Sequence, residues 1–367
     1  MRLVAVLCAC ALGLSLASCG SGGGSASAHS SGSGATHQAL AQGAAHAFLS
    51  TYTTDGGRIQ RTDQGGDTVG EGQAYGMLLA AAIGDQKRFD RIWSWTKSNM
   101  RQHDGLLAFH WVGGHVVDPQ PAADADLDAA RALLVASCRF GRPDLRDAAL
   151  SIGRAVLAHE TAKAASLHVL IAGPWAKKSG ALVFNPSYVD PTTLDALAKA
   201  GGDHRFRTVS VDSVKLVNEL TRPLPPDWAT VSTKTGQVTP VSGPSSTAGP
   251  GMFTYDAPRT LVRLGVAADP TARSAVARAW DVFKQTRAQD IVTEHQLSGA
   301  AVGTDHNPVT LVAVAAAADA AGDRRVVPGL LQQAQKLNNE HPTYYGAAWL
   351  ALGRLLLTTN LLDPCTS

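Results

Sequence analysis

Residues 190–201 read Asp-Pro-Thr-Thr-Leu-Asp-Ala-Leu-Ala-Lys-Ala-Gly, and this stretch shows how much of the chain is built. Aspartate before proline favours a helix start, because the carboxylate caps free backbone N–H groups and proline suits the first helical position. The apolar residues that follow are three and four positions apart, and glycine stands where the helix should end. The stretch therefore predicts a helix over 191–201.

The same construction recurs along the chain, with Asp269-Pro270 and Asn307-Pro308 as further helix starts, whereas the alternating pattern of strands is scarce. Apolar spacing predicts about twelve helices, over 37–53, 71–83, 86–101, 124–139, 143–159, 191–201, 205–221, 256–266, 270–287, 308–321, 324–337 and 343–358. Twelve antiparallel helices can close into six hairpins, an all-α (α/α)6 toroid. A stack of helical repeats is the alternative, but the sequence shows no fixed repeat period.

The N-terminus predicts export from the cytoplasm. An apolar run over 3–16 follows Met1-Arg2 and is too short to span a bilayer. It ends in Leu16-Ala17-Ser18-Cys19, which resembles a bacterial lipobox with Cys19 as the lipidated residue; an ordinary signal peptide with a chance cysteine is the alternative. We expect a lipoprotein signal peptide over 1–19, a Gly/Ser-rich flexible tether over 20–36 and a single domain over 37–367.

Composition argues against several classes of partner. The formal net charge is +2 at pH 7 and the basic residues are scattered, so nucleic-acid binding is not expected.

A disulfide between Cys138 and Cys365 is allowed outside the cell, but Cys138 lies in an apolar helical pattern and is predicted to be a buried free thiol. The histidines at 103, 110 and 115 lack the paired spacing of a zinc site, so no metal is predicted.

Three groups of carboxylates are candidates for chemistry. Glu71 stands between two glycines where a loop becomes a helix, although a first-turn glutamate is also favoured by the helix dipole. Residues 123–130, Ala-Asp-Ala-Asp-Leu-Asp-Ala-Ala, place three aspartates at a helix start, and capping explains only one of them. Positions two apart face different sides of a helix, so the three cannot serve one face. Asp256 is a candidate cap that can pair with Arg259.

These groups, in their order and spacing, resemble glycoside hydrolase family 8, which contains bacterial cellulases and the cellulase of cellulose-synthesis operons. The resemblance spans most of the chain and rests on Gly70–Met77, Phe89–Thr96, Asp104–Ala108, Val117-Asp118, Ala123–Asp128, Asn185–Tyr188 and Tyr255–Arg259. The family fold is an (α/α)6 toroid, which agrees with the number of helices predicted from the apolar spacing.

The resemblance implies a role for each carboxylate. Glu71 becomes the general acid that protonates the leaving oxygen, and Asp256 the base that activates water on the other face, which inverts the anomeric carbon. Asp124 matches the signature aspartate that is sometimes labelled the nucleophile. Because inversion needs no covalent intermediate, Asp124 is expected to hold and distort the sugar at the cleavage point.

Three further residues are implied to serve the substrate. Tyr188 would lie beside the catalytic water, Arg259 would orient Asp256, and Trp111 would stack on sugar faces along the cleft. The chain departs from the family by carrying Gly70 for serine, Phe109 where tryptophan is common, and Ala123 for a small hydroxyl residue. These changes remove no carboxylate, but they could weaken a hydrogen bond that tunes the acid, or one stacking subsite.

The sequence thus predicts an inverting endo-β-1,4-glucanase of the cellulase type, lipid-anchored through Cys19 outside the cell membrane or secreted. Its expected partner is a β-glucan polysaccharide or oligosaccharide, and we expect a monomer without cofactors. Xylanase, lichenase or chitosanase activity of the same family remains open, and Asp256 favours the cellulase and xylanase branch over the chitosanases. A non-catalytic glucan-binding lipoprotein is the alternative from another class.

Overall fold

The structure is a computed structural model that describes residues 28–364, with side chains described from residue 34 onward. The predicted lipobox, Cys19 and Cys365 lie outside the described residues. The described chain is mostly helical, and each of the twelve predicted helices is present, the ninth as two segments. The α-helices are α1 Ala28–Tyr52, α2 Gly70–Ile83, α3 Gln86–Asn99, α4 Ala123–Arg139, α5 Pro143–His159, α6 Pro191–Gly201, α7 Arg205–Leu220, α8 Ala257–Gly265, α9 Pro270–Ala277, α10 Trp280–Phe283, α11 Pro308–Ala320, α12 Val327–Glu340 and α13 Tyr344–Thr358.

Six of these helices form a closed inner ring. Contacts run from α2 to α4, α6, α8, α11 and α13, and α13 returns to α2. Each inner helix also packs against one outer helix, in the pairs α2–α3, α4–α5, α6–α7, α8–α9, α11–α12 and α13–α1. Because the ring closes after six hairpins, the predicted (α/α)6 toroid is confirmed and the open stack of repeats is excluded.

The sequence separates inner from outer helices by the width of the apolar face. Every residue of α2 from Gly72 to Ala82 is buried, as expected of a helix that is apolar on all sides. The outer helix α3 buries a single stripe, at Phe89, Ile92, Trp93 and Thr96. Inner helices therefore contact neighbours on several sides, while outer helices keep one face in water.

Short strands, which the sequence pattern did not predict, hold the loops between helices. A three-stranded sheet joins β1 Thr68–Val69, β2 His110–Val112 and β3 His115–Asp118, and β1 leads directly into α2. Two hairpins, β4 Thr161–Ala164 with β5 Leu167–Leu170 and β10 Glu294–His295 with β11 Ala301–Val302, flank a four-stranded sheet. That sheet contains β6 Lys177–Lys178, β7 Ala181–Phe184, β8 Trp228–Ser232 and β9 Val238–Val241.

Helix α1 begins at Ala28, inside the segment 20–36 that the sequence predicts to be a tether. Adding residues to an existing helix avoids the cost of nucleation, which offsets weak local propensity. Cys138 is exposed and disulfide-bonded rather than a buried free thiol, because it lies in the last turn of α4, where the helix leaves the core.

No helix in the described part of the chain combines the length and apolar character that crossing a membrane would require.

Gly353 marks the closest approach between α13 and α11. A Cβ atom there would overlap Cγ1 of Val312, so we expect Gly353→Ala to lower the free energy of unfolding by about 1–3 kcal/mol. The matched control is Gly43→Ala on α1, where no heavy atom lies within 4 Å of the added Cβ and alanine should stabilise by about 0.5–1 kcal/mol. Urea denaturation of both variants tests the packing, and equal effects of the two substitutions would contradict it.

Candidate active site

Buried arginines of α8 cross the inside of the ring to reach aspartates of α4. The Arg259 Nη1 to Asp124 Oδ2 distance is 2.5 Å, and both side chains are at most 4% exposed. One turn further along both helices, Arg263 binds Asp128 through two bonds of 2.8 and 2.7 Å. Helix α6 separates α4 from α8 in the ring, so these ion pairs connect helices that are not neighbours.

The ionic network continues below this layer through Asp190, the residue that caps α6. Its Oδ2 lies 3.4 Å from Arg263 Nη1 and 3.3 Å from Arg131 Nη1, while Oδ1 accepts the Thr193 N–H at 3.0 Å. Burial opposes ionisation of Asp190, but Arg131 and Arg263 together keep its pKa below the ordinary value. The predicted helix cap at Asp190 is therefore also part of the core electrostatics.

Next to the buried layer, Arg259 binds a second carboxylate that is partly exposed to solvent. Its Nη2 donates to Asp256 Oδ1 at 2.6 Å, and Asn185 Nδ2 donates to Asp256 Oδ2 at 3.1 Å. The Asp256 side chain is 29% exposed, so water can reach it. One guanidinium thus bridges the inaccessible Asp124 and the accessible Asp256, as predicted for the Asp256–Arg259 pair.

Glu71 is placed at the second residue of α2 by the strand β1 that precedes it. Strand pairing of Thr68 with Trp111 and of Val69 with His110 fixes this helix start. The Oε2 atom of Glu71 is buried and has no hydrogen-bond partner among the residues that the structure describes. Burial, followed by the negative charge of Asp124, raises the pKa of Glu71 to about 8. Glu71 is therefore a protonated carboxylic acid at neutral pH.

Two tyrosines form the walls around Arg259. The guanidinium carbon of Arg259 lies 5.5 Å from the centre of the Tyr188 ring, which is a cation–π distance. The Tyr75 hydroxyl lies 3.5 Å from Arg259 Nη1. Burial and the charges of Asp124 and Asp256 raise the pKa of Tyr188 well above its ordinary value, so this hydroxyl keeps its proton.

The three aspartates of α4 face two directions, as their spacing predicted. Asp124 and Asp128 point to the arginines of α8, whereas Asp126 Oδ1 accepts the Leu107 N–H at 2.8 Å. Asp126 is fully buried beside Glu160, and neither oxygen of Glu160 has a hydrogen-bond partner within residues 34–364. Burial is the main cause that raises the pKa values of both carboxyls. The charges of Asp124 and Asp104 raise both pKa values further, and Asp126 also raises that of Glu160.

Five of the six predicted site residues meet around Arg259, and Trp111 does not. Trp111 lies half-buried on β2, where its ring is 5.0 Å from the guanidinium carbon of Arg58 and 5.2 Å from the Trp95 ring. Among the described contacts, none joins Trp111 to Glu71, Asp124 or Asp256. Trp95 is therefore part of a half-buried aromatic cluster with Trp111.

Asp124 also differs from the predicted arrangement. Asp124 has no solvent-exposed surface, so its carboxylate is not accessible from outside the protein. Of the departures at 70, 109 and 123, the first has a packing reason. A Cβ at Gly70 would lie 3.0 Å from the Ala108 carbonyl oxygen, which leaves little room for a serine.

Two contributors to the site were not found from the sequence. Asn185 donates to the Asp256 carboxylate, and it lies in a motif of the family resemblance that implied no role for it. Asp227 accepts the Asp256 and Ala257 N–H groups, but it lies 29 residues before Asp256 and outside any motif. Both reach the site through the four-stranded sheet, whose strand pairing the apolar pattern did not reveal. Within residues 28–364, no group of three His, Cys, Asp or Glu side chains is arranged to hold a metal ion.

A helical toroid that sets a protonated carboxyl near an arginine-held, accessible carboxylate has the groups of an acid–base hydrolase. Comparison with known families identifies the family: residues 30–359 match the model of glycosyl hydrolases family 8, and the chain belongs to this family.

Named relatives agree with this assignment. The chain is similar to a probable endoglucanase of Novacetimonas hansenii, at 37% identity over 58% of this chain and 63% of that protein. It is also similar to endoglucanase A of Acetivibrio thermocellus, at 28% identity over 84% and 65% of the two chains. The chain thus spans slightly less than two thirds of the length of these curated relatives. The solved structure of endo-beta-1,4-glucanase CMCax from Acetobacter xylinum is 30% identical, with a TM-score of 0.74 over 87% and 98% of the chains.

Proposed function

We propose that this protein is an inverting endoglucanase that cleaves internal bonds of a β-1,4-linked glucan. The single observation that carries the proposal is that two carboxyls have different surroundings. Burial and the charge of Asp124 keep Glu71 protonated, whereas Asp256 is accessible to water and paired with Arg259. Inverting hydrolysis needs one carboxyl of each kind, on opposite sides of the sugar.

In the proposed reaction, Glu71 gives its proton to the glycosidic oxygen as the bond to the anomeric carbon breaks. Asp256 takes a proton from a water molecule, whose oxygen bonds to the anomeric carbon from the opposite face. The products are two shorter chains, and exchange with solvent returns the proton to Glu71 and removes it from Asp256. Tyr188 and Arg259 support Asp256 from the cleft wall.

For Asp124 we propose two contributions. Its negative charge helps Glu71 to keep its proton, and its bond to Arg259 fixes the guanidinium that holds Asp256. The family resemblance adds that it holds and distorts the sugar at the cleavage point. Because Asp124 is fully buried, contact with the sugar requires that substrate binding open the layer above this residue.

The proposed substrate is cellulose-type glucan, because the relatives reported above are named endoglucanase or endo-beta-1,4-glucanase. Xylan, lichenan and chitosan are the competing polymers within the family. The non-catalytic alternative would keep the cleft without turnover. Asp124 and Asp256 are joined through Arg259, and the charges of Asp124 and Arg259 act on Glu71, which favours an active enzyme over that alternative.

Wild-type protein should release reducing ends from carboxymethylcellulose faster than from xylan, lichenan or chitosan. Glu71→Gln and Asp256→Asn should each lower kcat by about 10²–10⁴-fold, because each removes one proton-transfer group but preserves side-chain volume. Reducing-sugar assays with purified variants measure this. NMR of the first product formed should show the inverted anomer.

The matched control for this assay is Asp281→Asn, an exposed aspartate paired with Lys284 on α10, which should leave turnover unchanged. Binding of glucan without release of reducing ends by the wild type would support the non-catalytic alternative. Wild-type turnover in either carboxyl variant would show that the acid or the base is assigned to the wrong residue.

The raised pKa of Glu71 predicts an alkaline limit to activity. As pH rises through about 8, Glu71 loses the proton that the leaving oxygen needs, so kcat/KM should fall about tenfold per pH unit above that value. Initial rates at low substrate concentration across pH 5–10 give the profile. The residual activity of Glu71→Gln should lack this alkaline limb, and a limb that persists in the variant would assign it to another group.

We further propose that the protein is exported and anchored to the outer side of the cell membrane by lipid on Cys19, and that its domain is a monomer. The lipobox-like Leu16-Ala17-Ser18-Cys19 supports the anchor. Cys19→Ser should move the protein from the detergent phase to the aqueous phase on Triton X-114 partitioning of expressing cells. An unchanged partition would contradict lipidation, and a second species on size exclusion would contradict the monomer.

A further inference from the structure

We infer that Asp227 is a positioning residue for the base, because it caps helix α8 in place of Asp256 and so leaves the Asp256 carboxylate free to act on water. The inference rests on the proposed function, since it concerns the base of that reaction. Asp227 directly precedes β8 and lies outside the acidic motifs of the sequence.

The hydrogen bonds of Asp227 carry the argument. Its Oδ1 accepts the backbone N–H groups of Ala257 at 2.6 Å, of Asp256 at 3.1 Å and of Thr254 at 3.1 Å. Its Oδ2 accepts the Thr254 hydroxyl at 2.5 Å. The backbone of Asp227 adds a fifth bond, since its N–H donates to Met252 O at 2.7 Å. Asp227 therefore forms hydrogen bonds along the loop over 252–257, at residues 252, 254, 256 and 257.

Asp256 occupies the N-cap position of α8 but makes no use of it. Its side chain accepts no capping bond from a backbone N–H of the described chain, and its oxygens receive Arg259 Nη2 and Asn185 Nδ2 instead. In an ordinary helix start, the N-cap aspartate spends its carboxylate on the first free N–H groups. Here the Ala257 N–H donates to Asp227, which directly precedes β8, and Pro258 has no N–H. The Arg259 N–H donates to the backbone carbonyl of Asp256, so none of these three positions needs the Asp256 carboxylate.

The same contacts separate the two carboxylates by role. The Asp227 carboxylate receives four protein donors, whereas the Asp256 carboxylate receives two and its side chain is 29% exposed. Asp256 therefore keeps more acceptor capacity for a water molecule than Asp227 does. Burial, followed by the charge of Asp256, raises the pKa of Asp227 to about 6, which shows that the two carboxylates are close enough to interact.

The test compares Asp227→Ala and Asp227→Asn with the wild type. Alanine removes the acceptor, so the loop that carries Asp256 loses its anchor, and kcat should fall by about 10²-fold while KM changes by less than about threefold. Asparagine keeps an oxygen acceptor for the backbone N–H groups, so kcat of Asp227→Asn should be at least about tenfold higher than kcat of Asp227→Ala. Asp269→Ala is the matched control, because Asp269 caps α9 through Thr271 N away from the site and should leave kcat unchanged.

A second substrate separates effects on the base from effects on the acid. With 2,4-dinitrophenyl β-cellotrioside the leaving group departs without a proton, so Glu71→Gln should regain activity. Asp256→Asn and Asp227→Ala should stay slow on it, because the water still needs a base. A loss in Asp227→Ala that disappears on this substrate overturns the inference, as does a kcat near the wild-type value, or an Asp227→Asn variant as slow as Asp227→Ala.

If Asp227→Ala does not fold, Thr254→Val decides the question, because it removes only the hydroxyl bond to Asp227 Oδ2. We then expect kcat to fall about three- to tenfold with KM unchanged and no recovery on the activated substrate; wild-type kinetics would overturn the inference. A wild type that hydrolyses neither substrate overturns the proposed function together with this inference. An active wild type with an unaffected Asp227→Ala overturns this inference alone.

Discussion

The guanidinium of Arg259 is the constraint on which the site depends. It is buried, and it binds Asp124 on one side and Asp256 on the other at 2.5 and 2.6 Å. A buried cation is tolerated only when anions offset its charge, so the two aspartates and the arginine must be kept together. The planar fork of arginine can hold two carboxylates at fixed angles, which a lysine could not do.

This constraint couples the fold to the chemistry. Arg259 and Arg263 extend from α8 to aspartates of α4 across the ring, so the same ion pairs that connect distant helices also orient the candidate base. Asp124 then acts on Glu71 through its charge, since a carboxylate beside a buried carboxyl disfavours a second ionisation. The raised pKa of Glu71 and the orientation of Asp256 therefore both depend on one layer of buried charges.

Sequence patterns predicted the helices but not the strands, for a physical reason. An inner helix such as α2 is apolar along its length, and an outer helix such as α3 has a clear stripe, so both are visible in local spacing. Strands of two to five residues, such as β1 and β8, are too short to show alternation. They nevertheless position Glu71 and Asp227. The exposed, disulfide-bonded Cys138 was missed because apolar spacing does not show where a helix leaves the core.

By itself, the sequence determined the helical class and the family resemblance. It also singled out Glu71, Asp124, Asp256 and Arg259 as candidates, because each lies in a short motif with its own spacing. The tertiary structure decided which groups are charged and which are free to react. Protonation of Glu71 depends on burial and on Asp124, 53 positions away, and the freedom of Asp256 depends on Asp227. Such effects arise from distances between segments that are remote in the chain, and no local pattern contains those distances.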